Sequence, residues 1–377
     1  MSESNKIKIG VVGACGRGAS FKTACDAIEN VTISAVCDID SNGLDRAAEC
    51  LGAEEKFIDY DEMLEKADIQ AVVIGTPMHF HAEQSIKALR KNIHVMCEVT
   101  AAVSIEECKQ LVIACKESKA VYMMAENYTY MKHNALIKKL VQKGLFGELF
   151  YAEGEYLHEG KELIEKTPWR RKWQAGIDGI TYGTHSLGPI LQWMAGDRVQ
   201  SVCCAGSGNH YKDPRNEKYA QDTSVMLCKT VKGALIKIRV DMISDRPHAM
   251  TNYQLQGTDG CYESSRSGLV NDGKIWFREL SSKVEWHNVD ELTTVDRLVK
   301  EYLPNIWVSP PEAAVNAGHG GGDYFEVLDW INSIRGEIKC PIGIHEAMDM
   351  TLPGLVSQES IRRNGQWLSV PDSRMWI

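Results

Sequence analysis

Gly13, Gly16 and Gly18 follow an apolar run over residues 7–12, and Asp38 closes a second apolar run over 31–37. These residue types at this spacing suit a dinucleotide. Glycines let backbone N–H groups approach a pyrophosphate. Behind them Ala19, Phe21, Ala24, Cys25 and Ile28 recur at helical spacing, and a helix N-terminus there adds partial positive charge. Asp38 lies twenty residues past Gly18, where a carboxylate accepts hydrogen bonds from ribose hydroxyls and repels a 2′-phosphate. No arginine follows it, only Ile39, Asp40 and Ser41, so the expected cofactor is NAD rather than NADP. In the G-x-G-x-x-G frame Gly13 and Gly18 fit, Cys15 holds the middle position with Gly16 beside it, and Arg17 completes the candidate cofactor loop.

A loop of this kind needs a scaffold. Up to about residue 125, short buried-strand patterns (69–74, 93–97, 120–124) alternate with amphipathic helical ones (44–50, 61–67, 81–91, 105–118), which predicts a doubly wound parallel sheet. Ligands of such sheets lie beyond the carboxyl ends of the strands. That rule adds Thr76, Pro77, His79, His81, Glu98, Asn127 and Tyr128 to the candidates. The two histidines lack acidic or thiolate partners at ligand spacing, so nearness to the nicotinamide is expected of them and no metal site. Glu98 is expected at the nicotinamide ribose.

After a helix predicted over 133–143 the pattern changes. Strand-like runs at 149–158, 201–206, 223–230, 234–242, 253–256, 274–280 and 284–289 are separated by turn signals such as Lys232-Gly233, Thr258-Asp259-Gly260 and Asn271-Asp272-Gly273. They predict a mostly antiparallel sheet with helices on one face, and helices return near 323 and over 346–363. The fold class is therefore α/β, an N-terminal Rossmann sheet plus a C-terminal α+β domain. The boundaries expected are 1–127 for the NAD-binding domain and 128–377 for the substrate-binding domain. Trp169-Arg170-Arg171-Lys172-Trp173 reads as a solvated basic loop or, equally, as a sugar platform in which Trp169 and Trp173 stack on C–H faces and Arg170 holds hydroxyls. His319 and Asp323 flank three glycines, whose implied close backbone approach favours a substrate contact over a helix-dipole role for Asp323.

The chain has 377 residues, 44% hydrophobic and 25% charged, enough for two ordinary globular domains. A net charge of −9 without a basic run argues against nucleic acid or anionic membrane as partner. The N-terminus, MSESNKIK, carries no apolar signal and no apolar run is long enough to span a bilayer. Twelve cysteines without C-x-x-C spacing fit a reducing cytoplasm, and Cys203 and Cys204, adjacent in a strand, face opposite sides.

Taken together, the glycine loop, Gly75-Thr76-Pro77 with His79 and His81, Cys97-Glu98-Val99-Thr100-Ala101-Ala102, Ala125-Glu126-Asn127-Tyr128 and Tyr182-Gly183-Thr184-His185 make the chain similar to the glucose–fructose oxidoreductase / inositol dehydrogenase / MocA family over nearly its whole length. The resemblance implies an NAD(P)-dependent sugar oxidoreductase with an open-faced second sheet, through which members usually form homo-oligomers. Two positions depart from the common pattern. The lysine after the fifth strand is Val99 here, and the aspartate four residues before the histidine is Thr181. Tyr182-x-Thr-His185, with Gly318-His319-Gly320-Gly321-Gly322-Asp323 later, instead resembles the NAD-dependent glycosidase branch. There Tyr182, His185 and Tyr128, thirty residues past Glu98, match the tyrosines and histidine that line the site.

Hydride leaves a carbinol only as its hydroxyl proton is removed, so a base is needed. With Val99 inert, His185 or Tyr182 is the candidate, assisted by Tyr128. The leading expectation is oxidation of a secondary ring hydroxyl, most simply C3 of a glycoside, to the keto sugar. The alternative is a hydrolase that oxidises C3, eliminates the C1 substituent and returns the hydride; a further alternative is a catalytically silent NAD-binding module.

Overall fold

A computed structural model describes residues 6–212, 219–247, 249–266, 273–279, 283–289, 307 and 309–376. Its backbone divides into two compact units, residues 1–131 with 311–348 and 373–377, and residues 132–310 with 349–372. Residues 311–348, which follow the antiparallel strands in sequence, belong to the first unit. The Gly322–Ile334 helix explains why, because it packs against Asn127–Tyr130 and supplies Asp323 to Arg17.

In the first unit, β1 (Ile7–Val12), β2 (Val31–Cys37), β3 (Glu55–Phe57), β4 (Ala71–Ile74), β5 (His94–Glu98) and β6 (Tyr122–Ala125) form one sheet in the order β3-β2-β1-β4-β5-β6. Every pairing is parallel. β4 and β6 are buried throughout, as strands covered on both faces must be. Strand order reverses between β1 and β4, and the carboxyl ends there open the crevice in which such sheets bind ligands. Local signals set the helices: Asp40, Asp59 and Ser104 cap three of them through Asn42 N, Glu62 N and Glu107 N.

The second unit holds a nine-stranded sheet. Its members are β7 (Leu149–Leu157), β8 (Val199–Gly206), β9 (Thr223–Thr230), β10 (Leu235–Asp241), β11 (Met250–Gly257), β12 (Gly260–Glu263), β13 (Lys274–Phe277), β14 (His287–Asn288) and β15 (Leu368–Ser369). The order is β14-β13-β12-β11-β7-β10-β9-β8-β15, antiparallel except where β10 meets β7. Alternating burial along β9 and β10 marks one covered face and one open face. β12 and the Thr184–Trp193 helix had no clear periodic signal in the sequence. Of the expected 274–280 strand and its preceding turn, Leu280, Asn271 and Asp272 lie outside the described residues.

Candidate active site

The glycine loop is built by backbone contact. Gly13 has φ +77°, and a Cβ on it would sit 2.7 Å from Gly75 O. A Cβ on Gly18 would meet Val11 Cγ1 at 2.7 Å, and one on Gly75 would meet Gly18 N at 2.5 Å. Three main-chain segments thus converge where β1 and β4 end, leaving no room for side chains, while Gly16 has nothing closer than 3.7 Å. Such a cradle fits a pyrophosphate. Asp38 organises it: Oδ2 accepts from Cys15 N at 2.8 Å and Oδ1 from Asp40 N at 3.0 Å. Burial, with Asp38 and Asp40 close by, pushes the exposed Cys15 thiol up to about 11, so it stays protonated. Thr76 Oγ1 donates to Gln84 Oε1 at 2.6 Å, Pro77 caps the short turn Met78–Phe80, and the His79 ring lies 4.1 Å from that of Phe80.

Arg17 and Glu98, expected at the cofactor, meet each other. Arg17 Nε donates to Glu98 Oε1 at 2.6 Å, and its Nη1 and Nη2 reach Asp323 Oδ2 and Oδ1 at 2.9 and 3.2 Å. The guanidinium is spent on two carboxylates rather than presented to phosphate. Its pairing fixes the glycine loop to the end of β5 and to the Gly322–Ile334 helix. Asp323, with 0% exposure, also accepts from His319 Nδ1 at 2.9 Å and Asn127 Nδ2 at 3.2 Å. Burial works against its ionisation, but His319 and Arg17 hold its carboxyl well below the usual carboxylate range.

His319 is therefore held by Asp323 through Nδ1 and sits at φ +54°, between glycines that accept such backbone. This is the arrangement in which a carboxylate fixes an imidazole tautomer and leaves Nε2 to exchange protons. The Tyr128 ring lies 5.8 Å away and is buried. One turn along the helix from Asp323, sequence reasoning missed Glu326. It is fully buried and neither carboxyl oxygen has a hydrogen-bond partner. Burial, reinforced by Asp323 and Glu98, pushes it well above the ordinary range, so it is held neutral. An acid inside the apolar run Tyr324 to Ile334 was the available signal. His81 differs from expectation as well. It is 1% exposed, and both ring nitrogens face backbone carbonyls.

In the second unit Tyr182 and His185 come together, with His185 Nε2 3.3 Å from the Tyr182 hydroxyl and the rings edge-on at 5.2 Å. Tyr156, at the end of β7, joins them at 5.3 Å from His185 and 5.8 Å from Tyr182, and His158 lies 5.9 Å beyond it. Gly154 makes this possible. A Cβ there would be 2.3 Å from Ser186 O, so the helix bearing His185 rests directly on the strand. Pro189 sits inside that helix and has no N–H for the carbonyl four residues back, that of His185. The buried Tyr253 hydroxyl donates to that oxygen instead, at 2.5 Å. The alternation Gly154, Tyr156, His158 on one strand face was the missed signal.

The segment read as a basic loop is a short helix, Trp169–Trp173. Arg170 Cζ lies 4.4 Å from the Trp169 ring and Lys172 Nζ 4.6 Å from that of Trp173, while Arg170 Nη1 donates to Gln174 Oε1 at 2.8 Å. Among the described residues no cluster of three or more His, Cys, Asp or Glu side chains is arranged to hold a metal ion. Nor is any helix long and apolar enough to cross a membrane.

Known proteins resolve the family. Residues 7–126 match the oxidoreductase family NAD-binding Rossmann fold, and residues 130–375 match the C-terminal domain of glycosyl hydrolase 109. The chain belongs to glycosyl hydrolase family 109. A family 109 protein of Saccharopolyspora erythraea is 29% identical over 97% of this chain and 83% of its own length. An alpha-N-acetylgalactosaminidase of Shewanella oneidensis is 29% identical over 97% and 84%. In fold, the chain is similar to levoglucosan dehydrogenase in complex with NADH and levoglucosan (TM-score 0.81, 20% identity, 97% and 100% covered). This family 109 member is an NAD-binding enzyme of the oxidoreductase class, and the glycine cradle with Asp38 fits the cofactor.

Proposed function

We propose that this family 109 protein oxidises a secondary ring hydroxyl of a glycoside, most simply at C3, and that the cycle runs on to cleavage of the glycosidic bond. One observation carries the reading: among the described residues His185 Nε2 sits against the Tyr182 hydroxyl and His319 Nδ1 against Asp323, two imidazoles able to exchange protons. A dehydrogenase that stopped at the keto sugar needs one proton acceptor for the carbinol. Cleavage needs a second group, which protonates the departing glycosidic oxygen and takes a proton from incoming water.

NAD, when bound, supplies the hydride exchange at the carbinol carbon. Gly13, Gly16 and Gly18 leave room for its pyrophosphate, Asp38 takes the adenosine ribose, and Thr76, Pro77, His79 and Asn127 lie toward the nicotinamide. His185, with Tyr182 at Nε2, takes the hydroxyl proton. The carbonyl so formed acidifies the neighbouring C2–H, so a modest base removes that proton and the C1 substituent leaves by elimination; water then adds at C1, C2 regains a proton and the returned hydride restores the C3 alcohol. His319 Nε2 delivers a proton to the leaving oxygen, with Asp323 stabilising the imidazolium. Trp169 and Trp173 offer faces for the sugar and Arg170 a donor for its hydroxyls. The Shewanella relative's name supports a glycoside substrate.

Incubating the holoenzyme with a glycoside panel in D2O tests this. Free sugar with one deuterium at C2 is the expected product. Accumulating keto glycoside with NADH would confine the activity to oxidation, and no reduction of bound NAD by any glycoside would sink the proposal. Two coarser readings complete it. A homo-oligomer through the open sheet face is supported by half-buried Val225, Leu227, Leu235 and Trp276 on that face. A cytoplasmic location is supported by twelve unbridged cysteines.

A further inference from the structure

His81 opens the Arg90-terminated helix after β4 and is fully enclosed. Its Nδ1 is 2.7 Å from Thr100 O, past the end of β5, and its Nε2 is 2.8 Å from Thr76 O, past the end of β4. The two carbonyls belong to different loops, on adjacent strands, at the edge where the proposed nicotinamide end lies. We propose that His81 is a positioning residue for that end of the cofactor, a strap whose two ring nitrogens hold the Thr76 and Thr100 loops at one fixed separation. The inference rests on the NAD reading above but adds a residue that touches neither cofactor nor substrate.

Burial accounts for the geometry. A buried carbonyl without a donor costs free energy, so whichever loop meets the ring N–H gains, while the enclosed ring packs against the other. Burial pushes the imidazole down, and the Thr100, Thr76 and Glu98 carbonyls with the Glu98 carboxylate pull the other way. A ring with one proton donates to one carbonyl at a time, and a ring with two donates to both. An apolar residue of similar size fills the space and serves neither. Glutamine restores an N–H donor group. The strap differs from the Arg17 clip, which holds the glycine loop at the pyrophosphate end.

Hydrogen exchange and ligand titration on the full-length protein test the strap. In His81→Leu, exchange without added cofactor should quicken over 76–80 and 99–103 while 13–18 stays as in the wild type. NAD should bind about tenfold more weakly, the worth of one net hydrogen bond. ADP-ribose, which lacks the nicotinamide, should keep its affinity within about twofold. His81→Gln should recover most of both losses. Unchanged exchange in both loops, or equal weakening of NAD and ADP-ribose, would overturn the proposal. Wild-type protein that binds neither ligand would remove the NAD reading, while exchange over the two loops would still report whether the strap exists.

Discussion

The two histidines read as proton carriers are held by opposite physics. His319 belongs to an ionic array in which Asp323, with no exposure, gathers His319, Asn127 and a guanidinium already paired with Glu98. His185 lies among aromatic rings, next to the Tyr182 hydroxyl, and is fixed through its backbone because Pro189 frees its carbonyl for Tyr253. Charge-assisted hydrogen bonds fix a ring's orientation through its polar partners. Ring packing fixes it through shape. The difference suits one group that keeps a partner ion throughout and one that accepts a proton from a neutral alcohol.

The sharpest way to break this contrast is Asp323→Asn. The amide replaces an ion shared by His319 and Arg17, so turnover should fall by about 10³–10⁴-fold, the cost of losing a carboxylate that orients an imidazole. Glycoside cleavage rates that stay within tenfold would remove His319 from the proton traffic. His185→Ala comes next, with turnover down by roughly 10²–10⁴-fold and NAD affinity, read by fluorescence titration, unchanged. A large loss of NAD binding in that variant would show that His185 supports the cofactor instead.

Tyr253→Phe tests the backbone tether. Removing the hydroxyl that donates to the His185 carbonyl should cost about 1–3 kcal/mol in denaturant unfolding. Pro189→Ala in the same background should return part of it by supplying the missing N–H. Additive effects of the two changes would mean that the carbonyl is satisfied another way.

The smallest effect concerns charge and pH in the ionic region. Asp323 is held below its unfolded value, so its stabilisation is complete above about pH 4 and is lost as pH falls through the folded value. Glu326 is raised, so it favours the folded state below about pH 4 and loses that contribution as pH rises. Urea unfolding should therefore show Glu326→Gln more stable than the wild type at pH 8 by about 1 kcal/mol, with no gain at pH 4. Equal stability at pH 8 would place an ionised, partnered carboxylate at this position.

Much of the first region was legible in sequence because its signals are local. Gly13, Gly18 and Asp38 fall within one strand–turn–helix–strand unit, where spacing alone dictates backbone approach. Tyr182 and His185 stand on one helical start, three residues apart. What could not be read were partnerships across long separations. Arg17 read only as part of the candidate cofactor loop, and its partner Asp323 stands 306 positions away. That both His81 nitrogens face the carbonyls of two different loops was likewise beyond spacing to show.

By itself the sequence determined the two sheet types, the preference for NAD and the identity of the groups able to carry protons, because periodicity, glycine placement and side-chain chemistry are properties of short stretches. Only the tertiary structure decided which of those groups are spent on one another. A buried ion or carbonyl takes whichever partner the fold brings within hydrogen-bond reach, and residues 311–348 return to the first unit from far along the chain to supply one.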